Sequence, residues 1–337
     1  MVKRRPHGIG VILVLLATSL VAAVGPLVSG QAALAPPLRC GDRITVDTTL
    51  HRDLLDCPNN GIVIGADDIT LDLNGHRIDG DDALAPCPRI CNVGVLNNGH
   101  NDVRIKDGDI RQFGVGVLLF GARRNGLSDL TAAGNVFSGI ILFQTAGSSV
   151  RWSKAFGNAG PDSGVGITLL ESHNNRIAYN RLFHNAELGI HLDRSNRNYV
   201  ANNVVRRNPE DGIILQGNRN VIVGNRVVRN AITVTTFSRG AQAVGNVVRR
   251  NHVVRAPHVG IAIDRPIERT VVKRNHVFRA GAHGIAVGNP TTRVTRNEAR
   301  NNQRLGIKAV KGTIDGGGNR ASGNGDPRQC VNISCSR

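Results

Sequence analysis

Aromatic residues are scarce in this chain, at 3% of 337 residues, with one Trp and two Tyr. That shortage excludes a core built of rings and a broad stacking platform for neutral sugars. Methionine is scarcer still, Met1 being the only one. Long apolar runs are limited to residues 9–24, so no other segment can cross a bilayer as a helix. Sustained 3.6-residue apolar periodicity is absent as well, and the density of Asn and Gly would break helices. Acidic residues run out along the chain: residues 1–110 hold 10 Lys+Arg and 13 Asp+Glu, residues 111–337 hold 32 and 12. The second part is thus short of the carboxylates that acid–base catalysis draws on, and its basic surface attracts polyanions.

What is present begins with a targeting pattern. Lys3, Arg4 and Arg5 precede the apolar run, and small residues follow it to Ala33-Leu34-Ala35. Residues 1–35 are expected to be a cleavable signal peptide, with Val28-Ser29-Gly30 as a rival cleavage point. The mature chain is then secreted or extracytoplasmic, without a membrane span. Export permits disulfides. Cys40 and Cys57, Cys87 and Cys91, and Cys330 and Cys335 form three sequence-local pairs outside the repeats. They are predicted to staple the two ends and one loop, since the short paired spacings of zinc sites are missing.

The rest is repetition. A glycine followed by an aliphatic residue recurs at Gly94, Gly116, Gly139, Gly166, Gly189, Gly212, Gly260, Gly284 and Gly306. One degenerate copy, Ile232-Thr233-Val234, has lost its glycine. Asparagines keep the same period at Asn180, Asn203, Asn225, Asn251, Asn275 and Asn297. Within each unit apolar and polar residues alternate, as in Gly-Ile-His-Leu-Asp, which is a strand pattern rich in Val and Ile. A near-constant period of short strands and tight turns predicts a solenoid in which each unit is one coil. Ile167, Ile190, Ile213, Ile261, Ile285 and Ile307 should stack inside. The asparagines are expected to take the left-handed turn positions and to bond the same residue in the next coil.

The stretch NNRIAYNRLFHNAELGIHLDRSNRN resembles the repeat of the pectin-lyase-like superfamily, in particular its NosD-like, carbohydrate-associated branch. ITLDLNGHRIDG, from Ile69 to Gly80, is similar to the first coil of many such chains. The resemblance covers about residues 60–325. It implies an all-β, right-handed parallel β-helix, with roughly eleven coils of 22–24 residues and disulfide-stapled ends. The division expected is an N-terminal cap over 36–60, the helix over 61–325 and a C-terminal cap over 326–337. Function is less constrained, because the superfamily includes lyases, hydrolases, epimerases and phage fibres.

A solenoid turns repeat offsets into columns. Two and four places after the glycines, an apolar shoulder (Leu118, Phe120, Ile141, Phe143) leads to His191 and Asp193. With Glu171, Glu187 and Arg194 these form the candidate catalytic group, because acid–base chemistry needs two groups near one bond. The competing assignment makes Asp193 and Asp264 turn residues. A second column, His252, His276 and Glu298, has metal-ligand chemistry, but a straight stack spreads its outer members over roughly 10 Å. Arg207, Arg229, Arg255 and Arg279 form a third column, suited to carboxylates or phosphates. With Phe120 and Phe143 they are the candidate ligand-binding residues. An exported chain meets acidic polysaccharide or envelope polyanions before nucleic acid. The favoured function is therefore a non-catalytic or structural polysaccharide-binding module that needs no cofactor, a divalent cation being the one admitted. The alternatives are a polysaccharide lyase, hydrolase or epimerase, and the metal handling that the NosD-like resemblance implies.

Overall fold

Alternation at period two, interrupted every few residues by a corner, builds short strands that cannot bury their apolar side alone. The computed structural model describes residues 37–82, 92–161, 163–236 and 243–337. The signal expected over 1–35 and the Cys87 and Cys91 pair lie outside the described residues. The chain is all-β and winds as a parallel β-helix of about 12 turns.

Each full coil gives one strand to each of three faces. Face A is a 13-stranded sheet from Asp42–Ile44 to Cys330–Val331. Face B includes Ser149–Arg151, Arg176–Ala178, Tyr199–Ala201 and Val221–Val223. Face C includes Lys154–Phe156, Arg181–Phe183, Val204–Arg206 and Arg226–Val228. In two early coils the B and C strands run on without a break, as Arg104–Arg111 and Gly126–Ala133. Pairing reaches both ends: Asp42–Ile44 pairs with Ile62–Ile64, and Cys330 and Val331 pair with Ile307 and Lys308. The ladder therefore begins and finishes inside the segments expected to be caps. Disulfides Cys40–Cys57 and Cys330–Cys335 close near these ends. The degenerate copy Ile232–Val234 keeps its place in face A between Ile213–Leu215 and Ile261–Ile263.

The aliphatic column is inside, with Ile190, Ile213, Ile261, Ile285 and Ile307 fully buried. Its glycines answer to close approach of the backbone. A Cβ at Gly189 would lie 2.5 Å from the carbonyl oxygen of Gly212 in the next coil, a contact no side chain tolerates.

The asparagines hold the corners in a way that corrects one expectation. Left-handed backbone falls on the residue before each one: Asn202 (φ 54°), Arg250 (54°), Arg274 (54°) and Arg296 (52°). That residue turns the chain, and the asparagine after it points inward, where its amide satisfies the corner backbone. Asn225 Nδ2 donates to Asn251 Oδ1 (3.0 Å) and to the Val200 carbonyl (3.0 Å). Its Oδ1 accepts from Asn203 Nδ2 (3.0 Å) and Asn203 N–H (2.9 Å). The same amide-to-amide bond runs from Asn180 through Asn319, and a parallel ladder joins Asn135, Asn158, Asn185, Asn208 and Asn230.

Replacing Asn225 by Ala removes one rung and strands donors and acceptors above and below it. Asn225→Ala should cost about 3 kcal/mol and lower the urea midpoint. An unchanged midpoint would show that the ladder is not a stabilising element.

Candidate functional site

Face A turns alternate side chains outward. Thr168, His191, Ile214, Thr233 and Ala262 lie in register on successive coils. Beside them run Phe120, Phe143, Leu170 and Asp193. The Phe120 and Phe143 rings meet edge to face at 5.0 Å, so the predicted shoulder exists and ends at Asp193.

The five catalytic candidates divide between two edges of this face. Asp193, Glu171 and Arg194 meet at the corner between faces A and B. Arg194 Nη1 lies 3.0 Å from Glu171 Oε1, and its Nε 3.5 Å from Asp193 Oδ2. Gln144 Nε2 donates to the second Glu171 oxygen (3.0 Å). Glu171 and Arg194 are left-handed (φ 49° and 45°), and Asp193 closes the strand Ile190–Asp193. The turn role considered for Asp193 thus belongs to Arg194. Glu187 stands at the opposite edge, where burial, and then the charge of Glu210, push its carboxyl pKa up. His191 sits between the edges, half-buried, with Gln216 Nε2 3.4 Å from its Nε2. Burial lowers its pKa, against the pull of Asp193.

Sequence reasoning missed Asp211 and His258. The Thr233 hydroxyl donates to Asp211 Oδ2 at 2.6 Å. Burial raises the Asp211 pKa first; the Thr233 bond opposes it, the charge of Asp264 adds to it, and His258 lowers it. The signal was available. The residue before each repeat glycine is mostly aliphatic (Val93, Val115, Val165, Leu188, Val259, Leu305), and Asp211 breaks that column. Face A therefore carries a histidine biased toward neutrality and carboxyls biased toward protonation, a combination associated with proton transfer.

The other columns are in register as expected. His252, His276 and Glu298 follow one another on face C. Glu298 is already shared, 2.9 Å from His276 Nδ1 and 2.5 Å from Arg300 Nε. The two His rings are 6.3 Å apart. Among the described residues no group of three or more His, Cys, Asp or Glu converges to hold a metal. Arg207, Arg229, Arg255 and Arg279 all adopt left-handed φ at the corner between faces C and A, exposed to solvent. Among the described residues none of them has a carboxylate within ion-pair distance.

Residues 74–251 and 139–315 match the family described as periplasmic copper-binding protein (NosD). No curated protein matches the sequence. Among solved structures, DFA-IIIase from Arthrobacter chlorophenolicus A6 in complex with DFA-III is 12% identical, with a TM-score of 0.55 over 82% of this chain and 76% of its own. The Dettilon tailspike protein is 17% identical (TM-score 0.53, 86% of this chain, 60% of its own). A point mutant of the periplasmic alginate epimerase AlgG is 16% identical (0.52, 86% and 73%). At these identities the likeness concerns the fold. Of the soft sulfur donors, Met1 is the only methionine, and the described cysteines are joined in disulfides. Among the described residues no helix is long and apolar enough to cross a membrane.

A buried imidazole with a lowered pKa stays neutral where the unfolded chain takes up a proton. Stability is therefore lost as pH falls below the ordinary histidine value of about 6.5. His191 contributes to that loss, along with His252 and His283, whose pKa values are lowered chiefly by burial. Between about pH 7.5 and about pH 5.5 the melting temperature should drop, and drop less in His191→Gln. Equal drops would mean that the His191 ring titrates as it does in water.

Proposed function

The chain belongs to the NosD family, and on that premise we propose that it works outside the cytoplasm as a binder of extended acidic polysaccharide. The observation that carries this reading is the set of unpaired corner arginines. Arg207, Arg229, Arg255 and Arg279 stand on successive coils, about 4.8 Å apart in rise, and among the described residues no acidic partner quenches them. Like charges stacked this closely repel, so the column is relieved by a ligand that brings carboxylates at intervals. Guanidinium forks suit that ligand better than ammonium groups would. A uronate polymer is the class to try first, since one fold neighbour is a mutant of a periplasmic alginate epimerase.

Affinity for polyuronate should fall steeply with salt, as release of condensed counterions requires. The double variant Arg229→Gln/Arg255→Gln should reduce both the affinity and the salt slope. Equal binding of a neutral glucan, or a salt-insensitive constant, would sink the electrostatic account.

Face A supports a second reading, in which the bound polymer is also modified. His191, with its lowered pKa, can accept a proton, Asp211 or Glu187, with their raised pKa values, can give one at one edge of the face, and Arg194 at the other edge can stabilise charge developing on a uronate carboxylate. The corresponding test incubates the protein with a polyuronate panel and follows unsaturated ends, reducing ends and uronate stereochemistry. Turnover that falls about 100-fold in His191→Ala supports this reading. A panel bound but unchanged leaves binding as the function.

A further inference from the structure

A groove that takes no part in the columns above opens on face B. It has a volume of about 630 Å³, and its floor is made of small residues. Gly126 pairs in register with Arg104 below it and Ser149 above, and Ser149 pairs with Arg176. One place along, Lys106, Ser128 and Arg151 follow each other in the same way. Cations thus stand at both ends of a dip floored by three small residues, Gly126, Ser149 and Ser128. The glycine is not demanded by packing, because a Cβ at Gly126 would meet nothing closer than Arg104 Cγ at 4.0 Å. Lys106 is paired with Asp72 and Arg124 with Asp102. Among the described residues Arg104, Arg151 and Arg176 have no carboxylate within ion-pair distance.

Trp152 forms part of the wall. It is the only tryptophan of the chain, is 55% exposed, and stacks on Tyr179 with ring centroids 6.3 Å apart at 17°. Both residues are left-handed, at φ 52° and 62°. The equivalent corner of other coils uses Asp (Asp107, Asp129), Asn (Asn202), Gly (Gly224) or Arg (Arg250, Arg274, Arg296). Neither ring is buried in the core, and Trp152 lines the groove together with Arg151 and Arg176, whose guanidinium lies over the Tyr199 ring at 4.7 Å. Asn174 also lines a second hollow of about 560 Å³, where Arg197, Arg219 and Arg269 project. The two depressions share that one lining residue; the basic trough is the groove across face B, with Trp152 at the corner between faces B and C.

We propose that this trough is a glycan-binding subsite, distinct from face A and from the arginine column, that seats a carboxylated sugar chain with one ring against Trp152. Its location rests on the groove alone; only the class of its ligand rests on the acidic-polysaccharide reading. Anions enter between Arg104 and Arg176, and the apolar face of a sugar ring covers the indole, which combines charge-assisted bonding with aromatic contact.

Because Trp152 is unique, its fluorescence reports on this groove without labelling. Titration of the whole protein with hexagalacturonate should change that fluorescence saturably, and maltohexaose should not. Gly126→Leu, which fills the floor from the solvent side, and Arg104→Gln/Arg176→Gln, which leaves the floor open, should each weaken the response about tenfold or more. Arg229→Gln/Arg255→Gln should leave it unchanged, even where it lowers binding of long polymer. The proposal is overturned by a flat titration, by an equal response to maltohexaose, or by a response that follows Arg229 and Arg255 rather than Gly126. Salt-dependent binding of long polymer that is unchanged in Arg229→Gln/Arg255→Gln would instead count against the arginine column.

Discussion

The buried amide of a corner asparagine, bonded to its copy in the next coil, is the constraint on which the rest of this structure depends. A parallel coil bends three times per turn, and each bend turns backbone groups away from the sheet ladders. Water cannot reach them, so they need partners within the protein. Asparagine supplies two donors and an acceptor on a short stem. Asn203, Asn225 and Asn251 show the economy of it, because each amide serves its own corner and the one beside it. The rise between coils, the register of the sheets and the alignment of every outward column follow from that repeat.

The left-handed residue before each asparagine has the opposite character. It reverses the chain, projects into solvent and packs against little. Its identity is therefore free to vary while the core stays constant. The chain uses that freedom for charge. Early corners carry Asp56, Asp68, Asp102, Asp107 and Asp129, and later ones carry Arg197, Arg219, Arg250, Arg274 and Arg296. The acidic start and basic remainder of the sequence are thus written at the corners as well as in the strands.

Most of the architecture was legible in the sequence because stacking makes periodicity visible. The glycine and isoleucine columns, the register of His252 with His276 and Glu298, and the shoulder from Phe120 to Asp193 could all be counted. The conformation of the corners could not. Sequence reasoning gave the left-handed position to asparagine, whereas the asparagines are the buried partners of a neighbour that does the turning. The site was less legible for a related reason. Counting offsets aligns strands, but Asp211 reaches Thr233 from outside its own column, and Arg194 folds back toward Glu171 one coil away. The groove on face B depends on the small size of Gly126, Ser128 and Ser149 together, and none of these marks a repeat.

The segregation of charge along the chain, 13 Asp+Glu against 10 Lys+Arg over residues 1–110 and 12 against 32 over residues 111–337, makes the coils a dipole with its positive end toward the last of them. A dipole responds to a field by turning before it binds. Near a uniformly anionic surface such as an envelope, the rod would stand with its late coils facing inward and its early coils held away. Encounter would then be polarised end to end, so that a long charged chain meets the arginine-bearing coils first and engages the earlier ones only afterwards. The effect is long-ranged in dilute buffer and shrinks to about two coils at physiological ionic strength, where the screening length is about 8 Å.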